Sequence, residues 1–594
     1  MAAQPPNLPV HITFIHGLPM TIQRSLTTST PSPELIAGVL EEAGINAVFG
    51  ISGGHTGRIF GALEKRQATI RTVLVREESL AAVMAEVYGR LTRKPGVVLG
   101  QGPWVLGNGL VGTIEARLSS SPMLLLTDFS DTPPFGLHAP YQSGTGEYGN
   151  WDARQAFGGI TKEVFAVHDA TGAVQATQLA IKHALSGQPG PVAVIYGLAA
   201  LTGEVGPDSQ PRLYPTRHYL PVALPPAHPV AVADAITALR AARRPVLVAG
   251  NGVRLAAAYE PLRRFAEAAG LPVVTTPSGK GVLAETHPLA LGVFGTFGTG
   301  GANACVAEAD LVVVVGSKLS ASDTARENPL LLDPERQTFI QIDVEPRNAS
   351  WTFPAEHVLL GDAGRVLDQL REALGDAAAS DGADRVARQR ALHGHFDGDA
   401  YRSDASPLMP QRIIAELQRH LPQNVVITCD AGENRIFMTH CYQTRSAGAF
   451  LQAAGAGPMG FGIPAALAAK LVHPERAVVA VCGDGGFAMT MNGLMTAIEQ
   501  ALPIIVVIFN NQALGWSLHS RGPFATTLGD FDHAAIARGM GCEGVRVTDP
   551  AKLGEALEAA LRATRPTVID VMTSLDISFD DLSLPLAAPA RSGT

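Results

Sequence analysis

The residues of this chain best equipped for chemistry lie in two stretches. In the first, Ala477–Phe487, an apolar run ends in Gly483-Asp484-Gly485-Gly486, and Asn510-Asn511-Gln512 begins 23 residues beyond Phe487. A strand that runs into glycine and an acid places a carboxylate in a turn where backbone can approach a ligand closely. A following helix, expected over Met491–Ala501, aims its N-terminal amides at the same place. That arrangement seats a diphosphate. A diphosphate needs a hard cation, and Mg²⁺ takes oxygens from one carboxylate, neutral carbonyls, phosphate and water. Asp484 and Asn511 offer such oxygens from the ends of two adjacent strands. In the second stretch, Arg76–Arg90, Glu77 and Glu78 stand where a strand ends and an amphipathic helix begins.

The elements that must position these groups follow a βα rhythm. From 594 residues, at roughly 150 per domain, three or four domains are expected. Lys+Arg 45 against Asp+Glu 54 leaves a net charge of −9. With no long single-sign run, neither a nucleic-acid footprint nor a polybasic membrane patch is expected. Apolar residues make up 46% and charged residues 17%, the latter below the roughly 25% usual for soluble domains, so extensive subunit contact is expected. The longest apolar runs are strand-sized, short of the ~18 residues of a membrane span. Five widely spaced cysteines without a C-x-x-C pair fit a reducing cytoplasm.

Residues 1–30 read as a disordered extension, within which translation could start at Met20. An α/β unit spans 31–200, with strands expected at Ala47–Gly50, Thr72–Val75, Gly96–Leu99 and Met123–Thr127. A Pro-rich linker covers 201–228 and a second α/β unit 229–375. A second linker covers 376–407, with a helix allowed over Asp384–His393. A third unit spans 408–575, with strands expected at Val425–Thr428, Ala477–Val481, Ile504–Phe509 and Thr567–Val571, and 576–594 forms a tail. Every unit is expected to be a doubly wound parallel sheet.

With G-D-G followed by N-N at this spacing, the chain resembles the thiamine-diphosphate-dependent enzymes over nearly its whole length. The likeness is to the three-domain arrangement of acetolactate synthase and the 2-oxo acid decarboxylases: a pyrimidine domain and a pyrophosphate domain of the thiamine-diphosphate-binding fold around a Rossmann-like central domain. It implies that Asp484, the Asn511 side chain and the Ala513 carbonyl hold Mg²⁺. It assigns Gly485 and Gly486 as amide donors to the diphosphate, with Gly486 standing where the family often has Ser. Gly432 and Asn434 align with further diphosphate contacts, and the acid between them, Glu433, departs from the pattern. In Ala456–Pro464, Gly457 would accept a hydrogen bond from the 4′-amino group and Met459 would wedge the cofactor into its V shape. Arg76–Arg90 resembles R-H-E-x-x-A-x-x-M-A-x-x-Y-x-R, which maps the proton-relay carboxyl to Glu78, where burial would raise its pKa, and puts Glu77 in place of the His.

In this family the relay Glu and the metal site of one centre come from different subunits, so the likeness implies a homodimer at least, with a tetramer expected. On the substrate side, Gly54, His55, Gln101, Trp104, Trp516 and His519 stand where the family borders its pocket. The central domain holds FAD or another nucleotide in some relatives and nothing in others, and Gly316-Ser-Lys-Leu319 here lacks the arginine of G-x-R-F. The implied function is decarboxylating carboligation of a pyruvate-like 2-oxo acid onto a carbonyl acceptor. The alternatives are carbon–carbon cleavage of a 1,2-diketone, as in cyclohexane-1,2-dione hydrolase, and a non-catalytic cofactor-binding regulatory subunit.

Overall fold

Short Val/Ile/Leu runs without polar alternation make strands buried on both faces, which is the pattern of parallel sheets flanked by helices. The computed structural model describes residues 26–132, 141–220, 224–375 and 380–582, and the first 25 residues and the tail beyond Leu582 lie outside them. It contains three six-stranded sheets in which every neighbouring pair is parallel. The first runs, in spatial order, Arg71–Leu74, Ala47–Gly50, Gly96–Leu99, Met123–Asp128, Pro191–Tyr196, Glu163–Val167. The third runs Phe450–Gln452, Val426–Cys429, Val478–Gly483, Ile505–Asn510, Thr567–Met572, Glu543–Val547. Numbered within each sheet, both have the order 2-1-3-4-6-5. The central sheet, from Ala290–Val293 to His357–Leu360, has the order 3-2-1-4-5-6, that of doubly wound nucleotide-binding folds.

The first and third units share one core. Helix Glu78–Thr92 packs against Gly462–Val472, whose Ala465, Ala466, Ala468 and Ala469 are fully buried. A helix apolar on every side must be enclosed, and here each unit encloses the other's. Part of the low charged fraction therefore follows from contact within one chain.

The segments expected as linkers carry structure. Glu204–Val205 pairs antiparallel with Thr30–Pro31, and Thr216 donates its backbone N–H to Glu42 Oε2 at 2.7 Å, so the stretch lies on the first unit. In the other, helix Gly382–His393 is fixed to the central unit where Arg385 Nη1 donates to the Pro245 carbonyl at 2.8 Å. Proline and small polar residues removed the periodicity of both stretches without removing their buried contacts.

Candidate active site

Strand Val478–Gly483 runs directly into helix Asp484–Thr490, so the helix begins at the acid itself. The helix expected over Met491–Ala501 is present over Gly493–Glu499, after a break at Met491–Asn492, but it is the preceding helix Asp484–Thr490 that directs its N-terminus at the turn. Asp484 is 3% exposed, and burial pushes its carboxyl above the usual range against the Gly485 amide, 2.9 Å from Oδ1, and the nearby His533. A desolvated carboxylate at the mouth of a helix is suited to a cation that also binds phosphate.

The asparagine pair divides its work. Asn510 turns under the sheet, where Nδ2 donates to Asp570 Oδ1 at 2.8 Å. Asn511 faces a cavity of about 120 Å³ whose wall includes Gly432, Asn434, Met459, Asp484, Gly485, Gly486, Ala513 and Trp516. Its Oδ1 accepts from the Ala513 N–H at 3.1 Å, which fixes the turn between the two. Among the described residues no group of three or more His, Cys, Asp or Glu could hold a metal. The cavity offers one buried carboxylate and neutral oxygens, a donor set that fits Mg²⁺ with phosphate and water rather than a soft metal.

Gly486 has a local reason. A Cβ there would lie 2.9 Å from Asp430 Oδ2, so a serine at this position would not fit unless something moved. Asp430 itself, fully buried, accepts amides from Ala431, Gly460, Phe461 and Gly462 at 2.7 to 3.3 Å. Burial outweighs them and pushes its carboxyl up to about 6. It thereby ties the end of one strand to the turn carrying Met459, a role no motif announces.

Glu433, the acid out of place beside a diphosphate, lines the cavity, but its carboxylate is engaged by other protein groups. Its Oε1 accepts from His519 Nδ1 at 2.7 Å and from the Phe579 N–H at 2.9 Å. His519 Nε2 meets the Leu575 carbonyl at 3.2 Å. Burial raises the Glu433 carboxyl and His519 opposes the shift. Of the two pocket candidates on helix Gly515–Arg521, Trp516 lines the cavity, stacked on Phe579 at 4.3 Å, whereas His519 stands behind it as a fastener of residues 575–579.

Glu78 opens its helix 6% exposed and accepts from Asn108 Nδ2 at 3.0 Å. Gly54, His55 and Gln101 gather around Asp128: the His55 N–H donates to Asp128 Oδ2 at 2.6 Å, its Nε2 meets the Ser130 carbonyl at 3.1 Å, and Gln101 bonds Gln142. Trp104 is 47% exposed. None of these first-unit residues lines the cavity of the third unit in the same chain.

A larger cavity, about 720 Å³, opens where the three units meet, at the ends of the central strands Pro245–Ala249 and Leu311–Val315. This is the switch point at which such sheets bind ligands. Asn251, Ser317, Lys318 and Asp343 line it together with Gln452–Gly457 of the third unit. Asn251 Oδ1 is buried with no hydrogen-bond partner, and Lys318 Nζ lies 5.6 Å over the Trp351 ring. These polar groups suit a nucleotide.

Three family descriptions match the chain: the N-terminal TPP binding domain of thiamine pyrophosphate enzymes over residues 33–145, their central domain over 232–370 and their C-terminal TPP binding domain over 430–571. The chain is 31% identical to the probable acetolactate synthase large subunit of Methanocaldococcus jannaschii, covering 91% of each chain. It is likewise 31% identical to the acetolactate synthase isozyme 3 large subunit of Escherichia coli, covering 91% of this chain and 94% of that one. A putative thiamine pyrophosphate-containing protein of Bacillus subtilis is 29% identical over 90% of each.

Proposed function

Because the chain belongs to the thiamine pyrophosphate enzyme family, as an enzyme of the acetolactate synthase type, we propose that it releases carbon dioxide from a pyruvate-like 2-oxo acid and joins the remaining acyl unit to a carbonyl acceptor. The observation that carries this reading is the cavity in which Asp484, Asn511, Ala513 and Met459 meet beside the turn of Gly457. When bound, thiamine diphosphate supplies a nucleophilic carbon and a ring that takes up the electron pair left by departing carbon dioxide.

The chain's own residues hold and orient it. Asp484, Asn511 and the Ala513 carbonyl hold Mg²⁺, while Gly432, Asn434 and the amides of Gly485 and Gly486 take the diphosphate. The Gly457 carbonyl accepts the 4′-amino group and the Met459 side chain sets the angle between the rings. A Glu78 carboxyl, buried at the start of its helix, shares a proton with the pyrimidine ring nitrogen. Since Glu78 does not line the cavity of its own chain, the working unit is a homodimer or a tetramer built of dimers, each first unit facing the other chain's third unit. Gly54, His55, Gln101 and Trp104 then border the substrate from one side and Trp516 from the other. The larger cavity takes FAD or another nucleotide. A cytoplasmic setting agrees with the five free, buried cysteines, and no helix among the described residues is long and apolar enough to cross a membrane.

The test is to supply the protein, thiamine diphosphate and Mg²⁺ with pyruvate or with a cyclic 1,2-diketone. Carbon dioxide and an acetolactate-type product are expected from pyruvate. Dione consumption without carbon dioxide release would replace this reading with diketone cleavage, for which His55 and Trp104 are the residues to examine. No heat stabilisation by thiamine diphosphate and Mg²⁺ would point to a non-catalytic subunit.

A further inference from the structure

Residues Gln452–Gly462 form the wall between the two cavities: Gly457 lines the large one and Met459 the small one. At its far end the wall is held by Asp430, through the amides of Gly460, Phe461 and Gly462. At its near end it is held by a carboxylate from another unit. Glu115, fully buried on helix Leu110–Ser119 of the first unit, accepts four consecutive amides: Ala454 and Gly455 on Oε1 at 2.7 and 2.9 Å, and Ala456 and Gly457 on Oε2 at 2.7 and 3.2 Å.

Four successive N–H groups turned toward one point make a nest for an anion, and charge-assisted bonds of this kind are about twice as strong as neutral ones. The turn is pressed against the same helix: a Cβ on Gly455 would stand 2.4 Å from Leu118. Arg90, also buried, completes the anchor by donating Nη1 to the Gln452 carbonyl at 2.6 Å and Nη2 to Glu115 Oε1 at 3.3 Å. Four consecutive amides so bonded fix the orientation of each peptide up to Gly457.

We infer that Glu115 is a positioning residue of the reaction: it sets the orientation of the Ala454–Gly457 peptides, so that the Gly457 carbonyl and the Met459 side chain meet the aminopyrimidine of the cofactor in register. This rests on thiamine diphosphate occupying the cavity as proposed above. Glu115 touches neither the diphosphate seat nor the substrate loops, so its loss should separate cofactor affinity from cofactor activation.

The test uses the full-length protein with thiamine diphosphate and Mg²⁺, and reads three quantities: the exchange rate of the cofactor's C2 proton by quenched NMR, cofactor affinity from tryptophan fluorescence, and the melting temperature without cofactor. Glu115→Gln, which keeps the shape but turns an N–H₂ toward the amides, is expected to slow exchange at saturating cofactor by ~10²-fold, the scale of a small misplacement near the chemistry. Affinity should fall less than ~10-fold, because the diphosphate seat is intact. Glu115→Asp, charged but shorter, should fall between, and it decides the matter alone if Glu115→Gln does not fold. Glu86→Gln removes a buried acid that also bonds Arg90 but touches no amide of the turn; it should slow exchange far less than Glu115→Gln even if its melting temperature drops as much. Wild-type exchange in both Glu115 variants, or equal slowing in Glu86→Gln, would overturn the inference. Absence of C2 exchange in the wild-type protein would overturn the reading of the whole site with it.

Discussion

The first and third units repeat one strand order, 2-1-3-4-6-5, and put it to different use. In the third, the loops after strands Val426–Cys429, Val478–Gly483 and Ile505–Asn510 converge on a cavity whose wall includes two buried carboxylates, Glu433 and Asp484. In the first, the corresponding loops after Ala47–Gly50, Gly96–Leu99 and Met123–Asp128 also converge, around Asp128, but leave Trp104 47% and Tyr141 72% exposed. One half of the pair is a seat complete within the chain. The other leaves aromatic side chains exposed, which the proposed dimer would cover. Anchoring a diphosphate and metal requires fixed dipoles, which a single sheet end supplies. On the function proposed above, the proton relay and substrate would meet the cofactor from the face that this sheet end leaves open.

Breaking the comparison outright is the largest expected effect. Glu78→Gln and Asp484→Ala should each lower turnover by ~10²-fold or more, one by removing the relay and the other the metal. Co-expressed, the two inactive chains should regain about a quarter of wild-type activity, since half of randomly mixed dimers keep one of two centres intact. Activity no higher than that of either variant alone would mean that both residues serve a centre inside one chain.

A smaller effect tests whether the seat of the third unit is as rigid as its backbone suggests. Glu433 and His519 tie Leu575 and Phe579 across it, and Phe579 covers Trp516. Glu433→Gln loses a charge-assisted bond to His519 and should raise local opening of residues 575–582 by ~10-fold, about 1.4 kcal/mol, read as faster amide hydrogen exchange there. Unchanged exchange would show that the aromatic stack alone holds the segment.

The two halves were also unequally legible in the sequence. Gly483–Gly486 and Asn510-Asn511 are local, so strand-then-turn reasoning reached Asp484 and Asn511, and the strand ends fall within about two residues of those expected. Asp430, Glu115 and the Glu433–His519 pair were not reachable in that way. Apart from the adjacent Ala431 amide on Asp430, their amide partners lie between 30 and 342 residues distant, and a buried acid that accepts backbone amides leaves no pattern in the side chains it serves. The helix that opens at Asp484 was missed for the opposite reason: apolar periodicity marked Met491–Ala501, where a helix does form over Gly493–Glu499, whereas Asp484–Thr490 is short and glycine-rich. His519 carried a pocket-facing expectation because position along the helix was known and its neighbour Glu433, from another strand end, was not.

The smallest effect concerns the carboxyl on which the Met459 turn closes. In the folded protein burial raises Asp430 from 3.8 to about 6 in spite of four amides. Between those values the native state keeps a proton that the unfolded chain has released. This group therefore contributes stability that is fully present below about pH 4 and is lost as pH rises through 6. With 1.36 kcal/mol per pKa unit the swing is at most about 3 kcal/mol. Asp430→Asn should be destabilised at every pH, because it loses an amide acceptor, but its deficit relative to wild type should widen as pH falls from about 7 to 4. Thermal melts of both proteins in low-salt buffers across that range measure it. A deficit that narrows toward pH 4 would mean that the four amides outweigh burial and hold Asp430 ionised.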